Sequence, residues 1–161
     1  VKEVRLKVSR LLVALFGATV AVFLWYAVVF FLEPPLLQSL ITPASGMDVQ
    51  DWLSGFEQTQ VVALIVVWVL AVLWHPISYL SSGRHGDKRI LWAVFQMFCA
   101  VFSLILCILL LPKTDYGAFW AYSAAFLNGF IPFWLGTVWC TPGACKYAPM
   151  GAKSMRGFFR Q

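Results

Sequence analysis

Charge is scarce in this chain. Only 12% of the residues are Asp, Glu, Lys or Arg, and none lies well inside any of four long apolar stretches. A soluble domain of this size carries about a quarter charged residues. With 61% hydrophobic residues, a water-soluble fold could not cover its apolar surface, so the excess faces lipid or other protein. Ion-coupled carriers and pumps commonly place an ionisable group at membrane depth, so its absence from the apolar stretches counts against that class. A channel is less affected, because amides, hydroxyls and carbonyls can line a pore.

Other absences exclude chemistry. There is no P-loop, no dinucleotide fingerprint and no hydrolase elbow, and the acids outside the apolar stretches are scattered. No enzyme active site is expected. A membrane haem needs paired axial histidines within the bilayer; here only His75 falls in an apolar stretch, and His85 lies in a Ser-Gly-Asp-rich turn. Of the four cysteines, Cys99 and Cys107 read as small apolar residues inside a helix. Cys140 and Cys145 sit at the edge of zinc-ligand spacing and lack a second ligand pair. No metal site and no cofactor is expected. The stretches show no sustained alternation of polar and apolar residues, which excludes barrel strands.

What is present is four apolar runs, at 11–32, 59–80, 90–111 and 118–140. Each is close to the roughly 20 residues a helix needs to cross the hydrocarbon core. A helix satisfies its own backbone hydrogen bonds there. The expected fold is therefore an all-α integral membrane protein, a four-transmembrane-helix bundle of two hairpins forming one domain.

The basic residues give its orientation. All but Lys113 fall in three segments. Arg5, Lys7 and Arg10 precede the first run; Arg84, Lys88 and Arg89 lie in the 81–89 loop; Lys153 and Arg156 belong to the 141–161 tail. By the positive-inside rule these are cytoplasmic anchors, with both termini inside. A bacterial inner membrane is the expected location. The net charge of +5 is explained by these flanks, and no nucleic-acid partner is expected.

The outer segment 33–58 is the longest connection. Pro34-Pro35 should end the first helix, leaving Glu33 in the loop. Asp48 is a natural N-cap for a short helix carrying Trp52, Leu53 and Phe56. That helix either lies on the membrane surface or packs on the outer helix ends. The second outer connection, 112–117, is short enough to make the last two helices antiparallel neighbours.

Two stripes of small and polar residues mark a packing seam. The third run carries Ala93, Gln96, Ala100, Ser103 and Cys107; the fourth carries Ala118, Ala121, Ala125, Asn128, Pro132 and Gly136. Small residues let helices approach closely where lipid offers no hydrophobic drive. The stripes are expected to face each other or a partner subunit, with Gln96, Ser103 and Asn128 as interhelical glue or pore lining. Ser103 and Asn128 fall at similar depth, and a hydrogen bond between them is expected. The large aromatics, among them Trp92, Phe95, Phe119, Tyr122 and Phe133, should meet lipid or a neighbouring subunit. Trp25, Trp74, Trp92 and Trp120 lie near run ends, as in an interfacial belt.

With no catalytic cluster and little soluble mass, the leading expectation is a non-enzymatic membrane subunit. Its role would be assembly, anchoring or signalling, and its partners the lipid bilayer and other membrane subunits or copies of itself. The alternatives are a homo-oligomeric channel or pore-forming effector, and a small-solute carrier.

Overall fold

The computed structural model describes residues 2–80 and 85–138; at 2–11, 14, 45, 79–80 and 85–88 it describes the backbone alone. The chain is mostly helical: α1 (Lys2–Phe31), α2 (Glu33–Leu40), β1 (Thr42–Pro43), a 3-10 turn (Ala44–Gly46), α3 (Val49–Leu80), α4 (His85–Leu110), β2 (Thr114–Tyr116) and α5 (Ala118–Val138). Arg84, Lys153, Arg156, Cys140, Cys145 and the 141–161 tail lie outside the described residues, as do the side chains of Arg5, Lys7, Arg10 and Lys88.

Helix α4 begins at His85, inside the expected 81–89 loop, and two other boundaries differ from the sequence expectation. The first concerns Pro34-Pro35, which starts a helix instead of ending one. The prolines occupy the opening positions of α2, where a missing N–H costs nothing because no intrahelical acceptor exists there. With only Leu32 between them, α1 and α2 act as one apolar rod, and Leu15–Leu40 qualifies as a single candidate span of 26 residues. Glu33 therefore lies inside a candidate span, not in a loop.

The second concerns α3, which runs unbroken for 32 residues. Asp48 caps its start, its carboxylate accepting from the Gln50 amide at 3.2 Å. Helix continues through Glu57-Gln58, where the sequence placed a boundary. Trp52, Leu53 and Phe56 are buried against Leu37, Ile41, Cys107, Ala121 and Ala125. They pack inside one end of the bundle, in its core.

Among the described residues three helical segments are long and apolar enough to cross a membrane: Leu15–Leu40, Val49–Ser78 and Arg89–Leu110. Helix α5, 21 residues long, is not one of them. Its packing supplies a reason. It makes extensive contact with α4, α3 and α1, and its buried face is built from Ala121, Ala125, Asn128, Gly129, Pro132, Gly136 and Thr137. A helix enclosed by protein needs close approach and hydrogen bonds more than apolar bulk.

Helices α4 and α5 form the most extensive pair. A Cβ on Gly129 would fall 2.2 Å from the Cys99 carbonyl oxygen and 2.7 Å from the Ala100 Cα, so the two backbones are in contact there. Gly136 faces elsewhere, towards Ala71 on α3 and Ala18 on α1. The seam thus divides along α5. Ala100, Ser103 and Cys107 are buried on α4, whereas Ala93 is exposed.

The short strands pair antiparallel, Thr42 opposite Tyr116, and the Ala44 amide donates to the Lys113 carbonyl at 3.0 Å. This ties the connection between α2 and α3 to the connection between α4 and α5. Gly117, at φ 86, sits so close to the Leu40 carbonyl that no side chain fits. That contact fixes the end of α2 beside the start of α5.

Polarity is inverted relative to a soluble protein. Gln60, Gln96, Ser103, Asn128 and Thr137 are buried, while Leu12, Phe16, Phe23, Ile90, Leu109 and Phe119 are largely exposed. The aromatics divide. Phe119 and Tyr122 point outward as expected, but Trp74, Trp92 and Phe133 are core residues, because indole and phenyl rings fill the space between helices spread around small residues.

Candidate functional site

Five helices each contribute one side chain to a single polar cluster. Asn128, at the middle of α5, is fully buried. Its Oδ1 accepts from the Trp25 indole N–H of α1 at 2.8 Å. Its Nδ2 donates to the Glu33 carboxylate of α2 at 3.0 Å and to Gln60 Oε1 of α3 at 3.2 Å. The same Gln60 oxygen accepts from Ser103 Oγ of α4 at 2.9 Å.

The cluster lies away from the helix ends. At about 1.5 Å per residue, Asn128 stands about 15 Å along α5 from its first residue, and Gln60 about 16 Å along α3. Glu33 is about 10 Å from the last residue of α2 by the same rise.

Ser103 and Asn128 do meet at one depth, but not directly. Both donate to Gln60, which bridges them. Gln60 was missed because it stands one residue inside the end of an apolar run, where a polar residue reads as a boundary. Trp25 was missed for a similar reason: its position near a run end resembles an interfacial belt. Glu33 was hidden by the two prolines after it. The available signal was the apolar Leu36, Leu37, Leu40 and Ile41 beyond the prolines, which extend the first run past Glu33.

The hydrogen-bond inventory of the cluster is unequal. Gln60 Nε2 is buried and has no acceptor. The Asn128 and Gln60 oxygens each already accept from a donor. Glu33 is the acceptor-only member, and its described partner is an amide.

A second polar layer lies along α5 beyond Asn128. Gln96 Nε2 donates to the Phe130 carbonyl at 2.5 Å, while Gln96 Oε1 is buried without a partner. The Trp92 indole donates to Thr137 Oγ1 at 3.0 Å. His75 is buried on α3, and its carbonyl accepts from Ser78 Oγ at 2.7 Å. Of the residues singled out from sequence, Gln96, Ser103 and Asn128 are interior hydrogen-bonding groups; Ala100, Pro132 and Gly136 are buried packing positions. Arg89 is exposed at the start of its span. Among the described residues no group of three or more His, Cys, Asp or Glu is placed to hold a metal ion.

No known protein family, curated protein or solved structure matches this chain.

Proposed function

We propose that this chain is an integral membrane protein of four spans with both termini cytoplasmic, working without covalent chemistry as a small-solute carrier centred on the Glu33–Asn128 cluster. One observation carries the proposal: a carboxyl group inside a candidate span, hydrogen-bonded to an amide at the middle of a buried helix. Placing such a group in hydrocarbon costs about 3 kcal/mol. Intramembrane ionisable residues accordingly line substrate and ion pathways.

The four-span topology is supported by the inverted polarity of the fold and by the three clusters of basic residues. Helix α5, with 21 residues, is about 30 Å long and serves as the fourth, protein-enclosed span. The small-residue seam, expected to face its counterpart stripe or a partner subunit, is used largely within the chain. Of the candidate pore-lining groups, Ser103 and Asn128 both donate to Gln60 and Gln96 donates to the Phe130 carbonyl. Both features favour a closed, occluding interior over an open channel.

Transport assays on the purified chain in liposomes test this proposal. Uptake of at least one small polar solute from a chemical panel is expected, with Glu33→Gln reducing it at least tenfold. Wild-type vesicles no leakier than protein-free ones across the panel would contradict it.

A second reading, an assembly subunit, is favoured by the apolar groove on α4 lined by Ile90, Val94, Met97, Phe98, Val101 and Ile105. A fixed stoichiometric partner in mild detergent, with no transport by either alone, would support that reading.

A further inference from the structure

We propose that Glu33 is a proton-binding site, and that Asn128 and Gln60 position its carboxyl group; this rests on the carrier reading and names the ion that the cluster takes.

The argument begins with compensation. A carboxylate removed from water needs a cation, a proton or several hydrogen bonds. Arg89 and Lys113 are the basic residues whose side chains are described, and both are exposed, one at each end of the bundle. Helix α2 packs against α1, α3 and α5. The titratable side chains described on those helices are Tyr26 on α1, Asp51, Glu57 and His75 on α3, and Tyr122 on α5. Tyr26 directly follows Trp25 on α1, and Glu57 is half-buried one turn before Gln60 on α3, so neither supplies a cation beside the cluster. His75 lies about 22 Å further along α3 than Gln60.

The choice between proton and metal cation follows from the oxygens. A sodium or calcium ion needs several oxygen ligands with free lone pairs facing it. Here Gln60 Oε1 already accepts two hydrogen bonds and Asn128 Oδ1 accepts one. Asn128 turns its N–H towards Glu33, and the unpartnered Gln60 Nε2 is a further donor in the same cluster. Glu33 Oε2 accepts from the Asn128 amide N–H, and its other oxygen remains to take and release a proton. A metal ion would meet N–H groups where it needs oxygen. The step is a simple transfer: the carboxylate takes a proton from hydronium to give the neutral acid and water, and returns it to water in the reverse step.

Infrared difference spectroscopy on the full chain in lipid vesicles, stepped between acid and alkaline pH, tests the inference. A protonated-carboxyl C=O band is expected on the acid side, missing in Glu33→Gln and retained in Glu57→Gln. Asn128→Ala should keep the band but move it to higher wavenumber, because the carbonyl loses its amide donor. Adding sodium or potassium at constant pH should leave the band unchanged. An identical difference spectrum in Glu33→Gln, or displacement of the band by sodium, would overturn the site. Should Glu33→Gln fail to fold, Glu33→Asp, which keeps the carboxyl group, must retain a band whose position differs from wild type. Failure is separable from that of the carrier proposal: the band without solute uptake sinks transport and leaves the proton site standing, whereas uptake without the band does the reverse.

Discussion

The amide of Asn128 donates to the carboxylate of Glu33 at 3.0 Å across 95 residues of sequence. It thereby joins the junction of the first two helices to the middle of the last. The same amide reaches Gln60, and its oxygen receives the Trp25 indole. One side chain thus holds α1, α2, α3 and α5 in register.

Replacing Asn128 with Leu removes three hydrogen bonds at once. Interhelical hydrogen bonds in membrane proteins average only about 0.6 kcal/mol each. Leaving buried partners unsatisfied costs more, about 1–3 kcal/mol per group. We expect Asn128→Leu to destabilise the fold by about 2–4 kcal/mol, read as unfolding in mixed detergent micelles. Trp25 fluorescence should change with it. A loss below about 0.5 kcal/mol would show that the cluster contributes little to stability.

The parts of this arrangement legible in the sequence are those set by composition along one helix. Ala100, Ser103, Ala125, Asn128 and Gly136 recur at helical spacing, and their burial follows from the need for close approach. The cluster depends on which helices are neighbours, and no periodicity along one run encodes that. Gln60 and Trp25 each look like an end marker until a second helix is placed beside them. The two prolines were misread because the same residue type stops a helix in its interior and suits its first turn. By size Trp92 and Phe133 read as meeting lipid or a neighbouring subunit, and by position Trp74 reads as interfacial, whereas all three are buried in the core beside the small residues Ala18, Ala71 and Cys99.

Gly129 and Gly136 should behave differently. A Cβ at Gly129 meets the Cys99 carbonyl at 2.2 Å, and backbone cannot yield as a side chain does. Gly129→Ala is expected to push α4 from α5 at a cost of about 3 kcal/mol or more. At Gly136 the nearest contact for a Cβ is Ala71 Cβ at 3.3 Å, so Gly136→Ala should cost no more than about 1 kcal/mol. Thermal melts of the two variants in the same detergent check the order, and equal losses would contradict it.

The proposed topology predicts sidedness. Single cysteines introduced as Lys88→Cys and Arg156→Cys, in a background with the native cysteines replaced, should react with an impermeant maleimide from one side of the membrane. Lys113→Cys should react from the other side. Labelling of the first two from opposite sides would exclude an even number of spans between them.

The most direct test is a double-mutant cycle between Glu33 and Asn128. Unfolding free energies are measured in lipid for wild type, Glu33→Gln, Asn128→Ala and the double variant. Contacting, charge-assisted partners are expected to couple by about 1 kcal/mol or more. The double variant should then lose less stability than the sum of the single losses. Strict additivity would mean that the two side chains do not interact in the membrane, and the account of a shared interior site would fail.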